Sequence, residues 1–191
     1  SCDFAPDFDL GKPDSGYWTY DDNGGQPDPN LTNFSIQKDI DNKTISTLNE
    51  ILQINPNIKF YGSCWSPPAW MKDNGSLIDG GHVLPQYYTA LANYYVKFIQ
   101  AYRNQGIPIY AITMQNEPSI SVGYPSVHWT TDEYQNFAQI LGQTFAANNI
   151  STKIWGLDDN EHNTFDYAKV LQNPATSPYL DGFGFHNYTG Q

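Results

Sequence analysis

Positive charge is scarce in this 191-residue chain: nine lysines and arginines face twenty aspartates and glutamates, a formal net charge of −11. With a pI near 4.4, it repels phosphate backbones and anionic headgroups, which excludes nucleic acid and an anionic membrane surface as primary partners. Cysteine is scarcer still. Cys2 and Cys64 form neither a disulfide framework nor a CxxC metal signature, so both read as free thiols. No apolar run approaches the roughly eighteen residues of a membrane span, so no transmembrane segment is expected. Neither a signal nor a transit segment is present, and the chain opens on Ser1-Cys2-Asp3-Phe4 as though cut from something longer. The glycine fingerprint that cradles phosphates and the Gly-x-Ser-x-Gly elbow are both missing. Of His82, His128, His162 and His186, no two show the close helical spacing of a zinc hydrolase. His162, beside Asp159 and Glu161, keeps a cation reading open. We expect no cofactor and no metal centre.

What is present fits one domain with a sizeable core: 39% of residues are hydrophobic and 15% aromatic. Asn-x-Ser/Thr triplets begin at Asn30, Asn33, Asn42, Asn74, Asn149 and Asn187 and point to an extracellular or secretory setting, a lysosome-like compartment included. The stretch that organises the chain is Ile107 to Pro118. Its apolar, β-favouring start (Ile107, Ile109, Tyr110, Ile112, Met114) is a buried strand, which stops on Gln115-Asn116-Glu117-Pro118 because proline cannot donate to a ladder. Asn116 and Glu117 therefore sit at the C-terminal tip of a strand, the end where α/β folds bind ligands.

In chain order, Cys2-Asp3-Phe4 reads as the tail of a first strand. A long loop from Ala5 to about Ile36 follows, and its Tyr17, Trp18 and Tyr20 make it a functional loop rather than a disordered one. Helical spacing runs from Asp39 to Ile54 through Ile40, Ile45, Leu48, Ile51 and Leu52. Ile58 to Trp65 is a strand. Pro85 opens the clearest helix, with a stripe of Tyr88, Leu91, Ala92, Tyr95, Phe98, Ile99 and Tyr102 and a cap at Gly106. Thr130-x-x-Glu133 has capping-box spacing ahead of the helical face Tyr134, Phe137, Ala138, Leu141 and Phe145. A strand over Lys153–Leu157, a helix over Thr164–Leu171 and a strand over Asp181–Tyr188 complete the chain. Strand–helix alternation means parallel strands with right-handed crossovers, in a barrel or an open sheet. About five strands are too few for a complete eight-fold barrel, which takes ~250 residues.

The strand ends carry Asp3, Trp65, Asn116 with Glu117, Asp158 with Asp159, and His186 with Tyr188, whereas the opposite loops carry turn residues. That asymmetry marks an active site. Rings that stack on pyranose faces, amides and imidazole that bond hydroxyls, and carboxylates for acid–base work together suggest a sugar substrate.

Taken together, Ser1-Cys2-Asp3-Phe4, Ser66-Pro67-Pro68-Ala69-Trp70-Met71-Lys72, Asn116-Glu117-Pro118-Ser119, Gly123-Tyr124-Pro125, Leu157-Asp158-Asp159 and His186-x-Tyr188 resemble, in order, glycoside hydrolase family thirty. This is the group of glucosylceramidases, β-1,6-glucanases and xylanases. The resemblance implies one incomplete catalytic domain over residues 1–191, a partial (β/α)8 TIM barrel spanning about strands two to six, and a retaining mechanism. Glu117 matches the general acid/base and Asn116 the residue that bonds the sugar 2-hydroxyl. Asp3, Trp65, His186 and Tyr188 match glycone-pocket residues. Trp65 and Tyr188 also admit a plain packing role, and Asp158 and Asp159 read as structural supports rather than catalytic groups. Cys64 stands where relatives often carry proline or a small residue. The expected substrate is a carbohydrate or glycolipid, first a β-glucoside of the glucosylceramidase type. An endo-β-1,6-glucanase, a xylanase, or an inert fragment that only binds sugar are the alternatives. The resemblance places the nucleophile beyond Gln191, so residues 1–191 alone are expected to be inactive.

Overall fold

A computed structural model describes residues 16–160, 169–170 and 172–188. Four segments form strands: β1 (Phe60–Ser63), β2 (Ile109–Thr113), β3 (Lys153–Asn160) and β4 (Gly182–His186). They make a parallel sheet in the order β1-β2-β3-β4. Helices α1 (Gln37–Asp41) and α2 (Thr44–Ile54) precede β1, α3 (Tyr88–Asn104) joins β1 to β2, and α4 (Thr131–Ala147) joins β2 to β3. Each strand lies beside the next in sequence, with no reversal of strand order, which is the pattern of a β/α barrel wall and not of a doubly wound sheet. The strand expected at Cys2-Asp3-Phe4 and most of the helix expected over Thr164–Leu171 lie outside the described residues.

Helices α3 and α4 cover one face of the sheet. Every residue of the two expected stripes, Tyr88 to Tyr102 and Tyr134 to Phe145, is buried in one core with Ile107, Ile112, Met114 and Ile154. The stripes do more than fill space. The Tyr95 hydroxyl donates to the Met114 carbonyl at 2.7 Å, and the Leu157 N–H donates to the Tyr134 hydroxyl at 2.9 Å. Each phenol thus buries its ring and satisfies a main-chain group where β2 or β3 nears its C-terminal end. Helix α3 ends as Gly106 predicts: its φ is +83°, its N–H bonds Arg103 O, and the Ile107 N–H bonds Tyr102 O. The Thr130–Glu133 capping box is formed in both directions. Gly142 leaves α4 open to Tyr179, since a Cβ there would fall 2.2 Å from the tyrosine Cγ. That contact seats the turn that leads into β4.

Two expectations fail for stated reasons. The helix read over Asp39–Ile54 is broken at Asn42–Lys43, where Lys43 adopts φ +63°. Ile40, expected in the core, is 39% exposed, while Asp39 is 4% exposed. The Asp39 carboxylate accepts the Tyr20 hydroxyl at 2.7 Å and the Tyr102 hydroxyl at 2.6 Å. Charge-assisted bonds of this kind offset its burial and turn the helix by about one position. The aromatics of the 17–36 segment, read as functional, include two core residues. The Tyr20 ring stacks on Phe98 and Tyr94 of α3, its N–H bonds the Tyr94 hydroxyl, and Trp18 packs edge-on to it. The segment straps α3, and these two rings join the core rather than the site.

Asp21, in that strap, is 1% exposed, and neither carboxylate oxygen has a hydrogen-bond partner among the described residues. Burial first, then the charge of Asp28, pushes its pKa up from the ordinary 3.8 to about 6; Lys97 opposes and Asp22 adds to the rise. Between those two values the folded chain holds a proton that the unfolded chain has released. Stability from this group is therefore full below about pH 4, falls as pH rises towards 6, and stays reduced above that. In the full-length protein, Asp21→Asn should raise unfolding free energy by about 1–3 kcal/mol at pH 7 and leave it nearly unchanged at pH 4. Urea unfolding at the two pH values checks this, and an equal effect at both would remove the ionisation argument.

Candidate active site

The site begins with an irregularity in β3. Leu157 and Asp158 both adopt left-handed backbone, φ +64° and +63°, and the register with β4 shifts between Leu157 and Asp159. Left-handed non-glycine residues cost on the order of 1–3 kcal/mol each and mark bulges that re-aim a side chain. The bulge directs Asp158 across the sheet. Its Oδ2 accepts the Ser63 hydroxyl from β1 and the Thr113 hydroxyl from β2, both at 2.6 Å. Its Oδ1 lies 3.0 Å from Nε2 of His186 on β4. One carboxylate joins all four strand tips.

His186 passes the connection on. Its Nδ1 lies 3.1 Å from Glu117 Oε1, and both side chains are largely buried. Glu117 follows β2 in left-handed backbone, φ +46°, and its N–H donates to the Asp158 carbonyl at 2.8 Å. Asn116 donates its N–H to the Cys64 carbonyl at 2.7 Å. Its carboxamide makes no hydrogen bond to the described residues and is free for a ligand. Position 64 thus serves the site through its backbone, and the buried thiol packs in the core. Gln115 braces the same corner, its Nε2 donating to Trp65 O at 2.8 Å and Asn116 O at 3.0 Å.

Aromatic rings line one side. Trp65 lies 5.6 Å from Tyr124, whose hydroxyl donates to Glu117 Oε2 at 3.4 Å. Burial first, then the charge of Glu117, its hydrogen bond and Tyr188, push the Tyr124 hydroxyl above its ordinary value. Tyr188 is 79% exposed and stands perpendicular to the His186 ring at 5.3 Å. The loop that carries Tyr124 is tethered on several sides. Trp129 N–H bonds Pro118 O, Ser126 N–H bonds Leu77 O, Lys72 Nζ donates to Ser126 O, and the Ser119 hydroxyl donates to buried Asp159.

The structure therefore brings together Trp65, Asn116, Glu117, His186 and Tyr188 as expected from the strand ends, while Asp3 lies outside the described residues. Asp159 accepts the Ser119 hydroxyl and the Asn160 N–H. Asp158 also holds other residues, but it does so in direct contact with the His186 ring. Ser63, Thr113 and Gln115 were missed because a hydroxyl or amide at a strand end carries no signal by itself. Tyr124 was visible only as part of Gly123-Tyr124-Pro125. His82 and His128 stand aside, their rings 5.2 Å apart, with His82 on the capping-box Glu133. His162 lies outside the described residues; among those described, no group of three or more His, Cys, Asp or Glu is placed to hold a metal ion.

A family model for the glycosyl hydrolase family 30 TIM-barrel domain matches residues 10–191. The chain is 35% identical over 189 residues to the endo-1,6-beta-D-glucanase neg1 of Aspergillus fumigatus, covering 90% of this chain and 38% of that protein. It is 29% identical over 199 residues to the lysosomal acid glucosylceramidase of Mus musculus, covering 98% of this chain and 36% of that protein. The solved structure of the endo-beta1,6-glucanase BT3312 superposes with a TM-score of 0.81 at 34% identity, over 91% of this chain and 41% of that one. The chain thus spans well under half the length of these relatives.

Replacing Gln115 by leucine would leave the Trp65 carbonyl without its 2.8 Å donor. An unfolding free energy lower by about 1–3 kcal/mol is expected in the full-length protein, read by urea denaturation.

Proposed function

As the chain belongs to glycosyl hydrolase family 30, we propose that the full-length protein is a retaining β-glycosidase that cleaves β-1,6-glucan internally, with Glu117 as its general acid/base. The observation that carries this reading is Glu117 at the tip of β2, held at 3.1 Å by His186 and flanked by Tyr124. In the first step a second carboxylate bonds to the anomeric carbon while the bond to the glycosidic oxygen breaks and Glu117 gives that oxygen its proton, leaving a covalent glycosyl-enzyme. In the second Glu117 takes a proton from water, whose oxygen attacks that carbon and releases the enzyme. The unpartnered Asn116 carboxamide beside it suits the sugar 2-hydroxyl, and Trp65 with Tyr124 offers ring faces to pyranose C–H surfaces. His186 and Tyr188 complete the glycone side.

A retaining reaction needs a second carboxylate ~5–5.5 Å from the first. Asp158 accepts two hydroxyls and lies against the His186 ring, and Asp159 is tied to Ser119. The family resemblance implies a nucleophile on a strand after His186-x-Tyr188, and we assign that role to a part of the full-length protein beyond Gln191.

Glucan is preferred over glucosylceramide as the substrate because the 35% and 34% identities lie with proteins named as endo-β-1,6-glucanases, against 29% for the mouse glucosylceramidase. This reverses the order drawn from sequence motifs. The second reading, glucosylceramide hydrolysis, rests on that mouse protein matching 98% of the chain. We place the protein outside the cell or in the secretory pathway, where a β-glucan substrate would be met; Asn30, Asn42 and Asn149 are exposed there for glycan attachment.

The full-length protein incubated with β-1,6-glucan should release oligosaccharides before glucose, whereas release of ceramide from glucosylceramide with no action on the glucan selects the second reading. Hydrolysis of neither would leave sugar binding without catalysis. Glu117→Gln should lower kcat/KM by about 10²–10⁴-fold on aryl β-glucosides with poor leaving groups. With dinitrophenyl β-glucoside, whose leaving group needs no proton, the glycosyl-enzyme should still form at close to the wild-type rate. Equal loss on both would take Glu117 out of the acid role.

A further inference from the structure

The hydrogen bonds around His186 restrict where protons can sit. An ionised Asp158 has none to give, and its Oδ2 already accepts the Ser63 and Thr113 hydroxyls. Its Oδ1, 3.0 Å from Nε2, can only accept. Nε2 therefore carries hydrogen, and a neutral His186 ring presents a bare lone pair at Nδ1. That lone pair lies 3.1 Å from Glu117 Oε1. A lone pair and an ionised carboxylate at that distance repel, so the contact requires one proton between them. It sits on Glu117 as a carboxylic acid donating to Nδ1, or on Nδ1 as an imidazolium donating to the carboxylate.

We propose that Asp158 is a positioning residue that fixes the His186 tautomer and so makes the His186–Glu117 pair hold the single proton that Glu117 delivers to the leaving oxygen. The proposal deepens the glycosidase reading and rests on it. After delivery, the ionised Glu117 faces the bare Nδ1 lone pair, and this repulsion favours its taking a proton back from the attacking water. The proton count closes over the two steps: one goes to the leaving group, and one is recovered from water. The two hydroxyls have a further consequence. In Asp158→Asn they hold the carboxamide oxygen at the Oδ2 position, which turns the NH2 group towards Nε2. Nε2 must then accept, the hydrogen moves to Nδ1, and a neutral ring donates to Glu117 as a carboxylate. The acid loses its proton although no group that touches sugar has changed.

The test uses the full-length protein with ¹⁵N-labelled histidine. In the wild type, His186 should show either the neutral Nε2–H ring or the doubly protonated one; a neutral Nδ1–H ring would overturn the proposal. Asp158→Asn should convert the neutral ring to Nδ1–H. Its kcat/KM should fall about 100-fold on poor leaving groups, with KM nearly unchanged, and stay within a few-fold of wild type for formation of the glycosyl-enzyme from dinitrophenyl β-glucoside. An unchanged tautomer, or equal loss on both substrates, would sink the inference. A wild-type protein that cleaves neither substrate counts against the glycosidase reading instead, and the ¹⁵N signals still decide where the proton sits.

Discussion

A carboxylate taken out of water must be given donors, and Asp158 receives them from every neighbouring strand. Its burial would be costly if even one partner were missing. Ser63, Thr113 and His186 come from β1, β2 and β4, so their bonds form only when the four strands stand in register. The same bulge that aims the side chain also offers its carbonyl to the Glu117 N–H. Backbone and side chain of one residue thus set the position of Glu117 and of the His186 ring beside it. Two left-handed residues in succession are the conformational cost of that arrangement.

Helices α3 and α4 make the cost sustainable. Their apolar stripes account for the packing, but the phenols of Tyr95 and Tyr134 reach the main chain at Met114 and Leu157, one residue before Gln115 and Asp158 respectively. The strand ends are thereby held just before the chemistry begins. A site supported from beneath in this way loses little entropy when substrate arrives, because its groups are already in place.

Much of this was legible in the sequence, for physical reasons that can be traced to residues. Pro118 cannot join a ladder, which put Glu117 at or past a strand end; β2 in fact stops at Thr113, and Glu117 stands in the segment that follows it. A stripe at helical spacing followed by glycine had to be a capped helix, and α3 is one. His186 and Tyr188 followed from the same strand-end argument. The rest depends on partners distant in the chain. Asp39 looks like the polar edge of a helix until Tyr20 and Tyr102 arrive with two hydroxyls, and then Ile40 takes the solvent side. Trp18 and Tyr20 look like ligand-binding rings in a polar loop until α3 supplies the surface they stack on. The bulge falls on Leu157 and Asp158, neither of them glycine, with Gly156 just before it as the one local hint. Asp158 consequently read as a support and not as a residue in contact with the His186 ring.

The geometry also distinguishes the groups held at the strand ends from the ring carried on a loop. Glu117, Asn116 and His186 are fixed by strand ends and by Asp158, where a small displacement breaks several bonds at once. Tyr124 instead rides on the loop between Pro118 and Trp129, tethered to Leu77 and Lys72 through Ser126 and to Asp159 through Ser119. Trp65 meets it from the end of β1. Those tethers hold the loop's frame and set the Tyr124 hydroxyl 3.4 Å from Glu117 Oε2. On the glycosidase reading, replacing the ring on this braced loop would alter both the surface the sugar meets and the hydrogen bond that the Tyr124 hydroxyl gives to Glu117. The strand ends thus carry the groups proposed for the reaction, and the loops around them carry the rings proposed to meet the substrate.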